Sequence, residues 1–238
     1  SSSSPDTIQG REAAERFLIK RFGGITPEHI VRGILDAYGN DMTFSAPILA
    51  LCAAVGIIPW KNVPRLPFEL ALLPAGFYRF LNLPVVSYAI PALIAVGLGK
   101  SKHSIFEELC IRKMSSIQPE DGGYLEAVPL TSFCVVCRTA AGKKECSVVQ
   151  KGLRFIASTV REDGSWPIDT NLEQWLSSLT VKALGREAFS GKERLKMSSL
   201  ILSRQYKVRH PFNGAAPGGW GWSPLSGAVP DADDTSAA

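Results

Sequence analysis

Little in this chain is polarised. Charged residues make up 20% of its 238 positions and the net charge is +4. That balance gives no polyanion-binding signal, so nucleic acid is not an expected partner. Histidine is scarce, with 3 in all, and the 5 cysteines form an odd set without a paired spacing. Such a set argues for free thiols in a reducing compartment. Cys134, Cys137 and Cys146 stand as C-x2-C-x8-C, but no histidine lies near them to complete a zinc site. Cys134 and Cys137 also fall in "TSFCVVCRTAAG", which reads as a helix in which buried thiols act as small hydrophobes. No metal is therefore expected. The opening "SSSSPDT" lacks the basic and apolar regions of a secretory signal and reads as a polar leader. Strand-type alternation is scarce throughout, which leaves helix as the expected secondary structure.

What the chain does have is apolar length. The runs at 44–60 and 80–99 are the most hydrophobic. The second is long enough to span a bilayer, but Asn82, Pro84 and Pro91 interrupt it. Three readings stand: a helix buried on all sides of an α domain, a spanning helix, or an apolar surface that dips into one leaflet.

The second half repeats a plan. Segments starting at Pro119, Arg161 and Ala215 each open with a glycine turn (Gly122–Gly123, Gly164–Ser165, Gly218–Gly219), then an aromatic, a short loop and a helix. Further helices are expected from Ser104, Cys146 and Gly191. Helix pairs at such a period stack into solenoids or close into toroids. The expected fold is thus all-α, an α/α toroid built from helix pairs. In that architecture the glycine-aromatic loops gather at one end, where helix N-termini direct partial positive charge.

The last segment ends on "VPDADDTSAA", with Asp231, Asp233 and Asp234 within four positions. One aspartate can cap a helix starting near Asp234 and Thr235. Three exceed what a cap requires, and like charges this close resist common ionisation. One of them is expected to keep a proton near neutral pH, as a Brønsted acid ready to donate.

These residues carry a resemblance. "KGLRFIASTVREDGSW" (151–166) resembles the QW repeat of the squalene cyclase superfamily at Lys151, Gly152, Phe155, Ile156, Gly164 and Trp166. Val160 departs from the repeat's glutamine; the segment at 118–124 keeps Gln118 and Gly122, with Tyr124 in the tryptophan place. "PDADDT" resembles the D-x-D-D motif of squalene–hopene cyclases and other class II terpene cyclases, and "VPRLPFELALLP" (63–74) the segment before their substrate channel. The likeness runs from about residue 26 to the end.

The resemblance implies two α/α barrels around an apolar cavity, in an enzyme associated with the cytoplasmic side of a membrane without spanning it. It implies acid-initiated cyclisation of squalene or a related isoprenoid through carbocations, without metal or organic cofactor. Asp233 matches the proton donor; Asp231 and Asp234 match its supporting acids. Trp222 matches a cavity phenylalanine, Trp175 approximately a cavity tryptophan, and Pro129 a cavity-lining proline. For the tryptophans, packing between helices is the other available role. The implied organisation is a leader and first helix at 1–25, a barrel domain at 26–205 with a channel region at 44–99, and the start of a second barrel at 206–238.

Departures accompany the likeness. Only Tyr88 is aromatic where a channel tryptophan is expected, and Glu126 and Asp169 add acids to loops that are usually quieter. The acid's histidine partner in the family lies beyond the motif, so the sequence is expected to be a fragment or one piece of a split cyclase. Completion by a second chain, by a missing C-terminal half or by a homodimer is the corresponding expectation. Two further readings remain open. One is a class II cyclase of a prenyl diphosphate, for which Lys207, Arg209 and His210 could face the ligand; the other is a non-catalytic isoprenoid-binding or scaffold module. A prenyltransferase subunit shares the toroid but needs a zinc site of Asp, Cys and His, which the sequence does not show.

Overall fold

The computed structural model describes residues 5–39, 41–80, 90–100 and 105–238. Asn82, Pro84 and Tyr88 lie outside them. The described residues are all helical in their regular structure. The helices are α1 (Pro5–Phe22), α2 (Pro27–Tyr38), α3 (Met42–Ala54), α4 (Ala75–Phe80), α5 (Ile90–Lys100) and α6 (Ile105–Ile117). They continue as α7 (Val128–Ala140), α8 (Ser147–Ser158), α9 (Glu173–Leu184), α10 (Gly191–Ser203) and α11 (Ala232–Ala237). The only strand-like pairing among the described residues is an isolated bridge between Ala127 and Asp169.

The core belongs to the apolar half. Leu49 and Ala50 of α3, Ile94 and Leu98 of α5, Met114 of α6 and Cys134 of α7 pack together. Burying each large side chain of this set contributes about 2 kcal/mol. The described part of the second apolar run is therefore a buried helix. No helix among the described residues is long and apolar enough to cross a membrane. Phe44, Val55, Ile57, Phe77 and Phe80 remain exposed on the same stretch.

Helix α7 lies between α5 and α8. Its thiols behave as apolar groups: burial pushes Cys137 up to about 12, and Cys134 well above the ordinary value. One charged network is enclosed with it. Arg138, 1% exposed, donates to Glu107 at 3.3 Å, and Lys143 meets the same carboxylate at 3.5 Å. Removing one partner would strand a buried charge, which costs far more than an exposed pair contributes.

The glycine turn of the first repeat is dictated by close approach. Gly122 has φ +93, and a Cβ there would run into the Lys151 carbonyl on α8. Gln118 braces the turn, its amide donating to Gly122 O at 2.9 Å and to Val148 O at 3.1 Å. In the second repeat Val160 cannot do this. The Trp166 indole instead donates to Ile156 O at 2.9 Å, closing the end of α8 from outside. Helix α10 is launched by a capping box in which Ser190 and Glu193 satisfy each other's backbone N–H.

Candidate functional site

The three glycine-aromatic loops meet. The first (119–127) is tied to the second (161–172) by Val128 N donating to Ile168 O and Thr170 N donating to Glu126 O, both at 3.0 Å. The third (215–231) caps α9: Gln174 N and Trp175 N donate to Trp222 O at 3.0 and 3.1 Å. The first and third are joined by Ser223 Oγ donating to Glu126 Oε1 at 2.8 Å. The third loop is fixed at its own ends as well. Trp220 donates its indole N–H to Ile201 O at 2.7 Å, and Tyr206 its hydroxyl to Ala228 O at 2.9 Å.

This convergence opens a cleft of about 720 Å³. Asp231, Asp233, Asp234, Trp175 and Trp222 all line it. Leu125, Ala127, Asp169, Leu172 and Ala232 complete the wall. Pro129 does not: it stands exposed in the first turn of α7. Of the loop acids, Asp169 faces the cleft and burial raises its pKa, whereas Glu126 is wholly buried behind the wall. Its burial was not visible in the sequence; neither were Ser223, which binds it, and Leu125, whose φ of +55 turns the chain there.

The acids differ in environment. Helix α11 begins at Ala232, two residues before Asp234, and Asp231 caps it by accepting from Asp234 N at 2.7 Å. Asp233 is exposed towards the cleft. Asp234 is 4% exposed, and its Oδ1 has no hydrogen-bond partner. Burial, then the neighbouring Asp231 and Asp233, push its carboxyl from the ordinary 3.8 up to about 7. A carboxyl that keeps its proton near neutrality therefore shares the cleft with Trp175 and Trp222. Such a group can protonate a weak base, and the indoles can stabilise the cation that results.

The basic residues considered for a diphosphate do not assemble here. Lys207 is exposed, Arg209 donates to Gly214 O at 2.6 Å, and His210 is buried against Tyr206 with ring centroids 5.0 Å apart. None of them lines the cleft. No protein-family model matches the chain, and no curated protein does.

Proposed function

We propose that this chain carries the acid-bearing wall of a class II terpene cyclase of the squalene–hopene type. Its repeats build an α/α toroid around an apolar cavity. The observation that supports the reading best is the meeting of the three aspartates with Trp175 and Trp222 at one cleft. A non-polar polyene offers no basic atom except a carbon–carbon double bond. Protonating it takes an acid kept from water and from full ionisation, with π faces nearby to hold the cation.

The three acids stand within one turn of each other at the start of α11. Burial keeps the proton on Asp234, and Asp233, beside it on α11, is the acid exposed to a bound alkene. Asp231 fixes the geometry by capping α11. Trp175 and Trp222 are the cation-stabilising faces. The exposed apolar residues of α3 and α4 form the surface through which the protein takes isoprenoid from a membrane without crossing it.

Extraction of copurified lipid followed by mass spectrometry tests the substrate class. A C30 polyene hydrocarbon is expected; a bound prenyl diphosphate would replace the reading with a diphosphate cyclase. In the complete enzyme, Asp233→Asn should abolish squalene turnover with the fold unchanged. Full turnover by that variant would refute the mechanism.

A further inference from the structure

Behind the cleft wall lies a carboxyl group that the proposed chemistry does not use. Glu126 is 0% exposed. Its φ is +58, directly after Leu125 at +55, so two successive non-glycine residues occupy the left-handed region. Both features are costly. A buried acid loses its hydration, and left-handed backbone strains residues that carry a Cβ. The partners that the structure gives Glu126 are neutral: Ser223, the Trp222 indole and the Ala228 backbone, which oppose the raised pKa that burial imposes. Oε2 accepts no well-formed hydrogen bond. A medium-sized apolar residue would fill this space at lower cost, so the position calls for a reason other than stability.

The reason lies in what Glu126 joins. Its carbonyl accepts from Thr170 N and, at 3.2 Å, from Thr170 Oγ1, which ties it to the second loop. Its side chain accepts from Ser223, which ties it to the third. Gly227 closes over it so tightly that a Cβ there would lie 2.7 Å from Glu126 Cγ. Ser223 in turn accepts from Leu225 N at 3.0 Å, shaping the turn that follows. One residue of the first loop thus holds both others. The third loop carries Trp222 near its middle and Asp231 at its end, and it caps the helix that carries Trp175.

We propose that Glu126 is a positioning residue: by fastening the third loop to the first and second, it sets Trp222, Trp175 and the aspartates around one cleft. The proposal rests on the cyclase reading for what the cleft acts on, but not for its geometry. It acts through Ser223 as a hydrogen-bond acceptor, and its negative charge is not required.

The test compares Glu126→Gln with Glu126→Ala in the 238-residue chain, with circular dichroism to report the fold. The readouts are the Asp234 carboxyl titration and the Trp175 indole N–H resonance in NMR spectra, neither of which belongs to a residue bonded to Glu126. Gln keeps an acceptor for Ser223, so both signals should stay where the parent chain has them. Ala releases the loop and admits water to Asp234. Its titration should then fall from about 7 towards the ordinary carboxylate range, and the Trp175 resonance should move. Trp60, which packs against the core of the apolar half, should not move in either variant. Should Ala fail to fold, Ser223→Ala removes the same bond from the other side and should shift both signals in the same direction.

Unchanged Asp234 and Trp175 signals in folded Glu126→Ala, or in Ser223→Ala, would overturn the proposal. So would a Gln variant as disturbed as the Ala variant. A chain that holds no polyene would sink the cyclase reading while leaving these readouts intact, so the two failures are distinguishable.

Discussion

Asp234→Asn removes an ionisable group that burial holds protonated towards neutrality. In the folded chain the Asp234 carboxyl titrates at about 7, against an ordinary 3.8. The raised value means that folding favours the neutral form. The stability associated with that form is complete below the ordinary value and is lost as pH rises through the interval to the folded value. A shift of about 3 units corresponds to about 4 kcal/mol at most. The cleft is open to solvent on one side, and screening there reduces the figure to about 2 kcal/mol. Asn cannot ionise and so escapes the loss, and its amide can still donate to Asp231 as the protonated acid does. The variant should match the parent chain near pH 4 and exceed it by about 2 kcal/mol near pH 8. Urea denaturation followed by circular dichroism at both pH values reads the difference directly. A gap that is the same at both, or a variant less stable at the higher pH, would refute the buried-acid argument.

Further outcomes follow from the same structure. Asp231→Ala removes the α11 cap and should cost about 1 kcal/mol, with faster amide hydrogen exchange confined to that helix. Gly122→Ala drives a Cβ into the Lys151 carbonyl and should lower stability by more than about 2 kcal/mol in thermal melts. Gly142→Ala, at φ +76 but with nothing within 4 Å, should cost only the backbone strain of about 1 kcal/mol. If the exposed apolar residues of α3 and α4 meet a bilayer, mild detergent should release the protein from membranes and high salt should not; release by salt alone would count against that contact.

Local physics was legible in the sequence, and long-range geometry was not. The helices expected from Ser104, Cys146 and Gly191 begin at Ile105, Ser147 and Gly191, because cap residues and helix formers sit next to one another along the chain. The glycine turns were legible for the same reason, since Gly122 and Gly218 take φ values that a side chain would resist. The start of α11 was misplaced by two residues. Asp231 caps from outside the helix, and Asp233 then lies in the first turn rather than before it. Glu126 could be noticed as an unusual acid but not as a buried one, because its partner Ser223 stands 97 residues away. Pro129 illustrates the opposite case. Its place in the first turn of α7 follows from its lack of an N–H, and the cleft forms beside that turn without using it.

The unequal fates of the three aspartates follow from helix geometry. Successive residues of an α-helix point about 100° apart. Once Asp231 caps the helix, Asp233 and Asp234 cannot share an environment, because α11 packs on α9 with one face and meets the cleft with another. The buried direction falls to Asp234 and the open one to Asp233. A D-x-D-D spacing on a capped helix therefore sets chemically identical groups apart: one shapes the backbone, one faces the cleft and one is pressed into holding a proton. What makes the pressure effective is the neighbouring helix. Helix α9 is held in place through the Trp222 carbonyl that caps it, so a residue that lines the cleft also fixes, with its backbone, the helix against which the acid-bearing α11 packs.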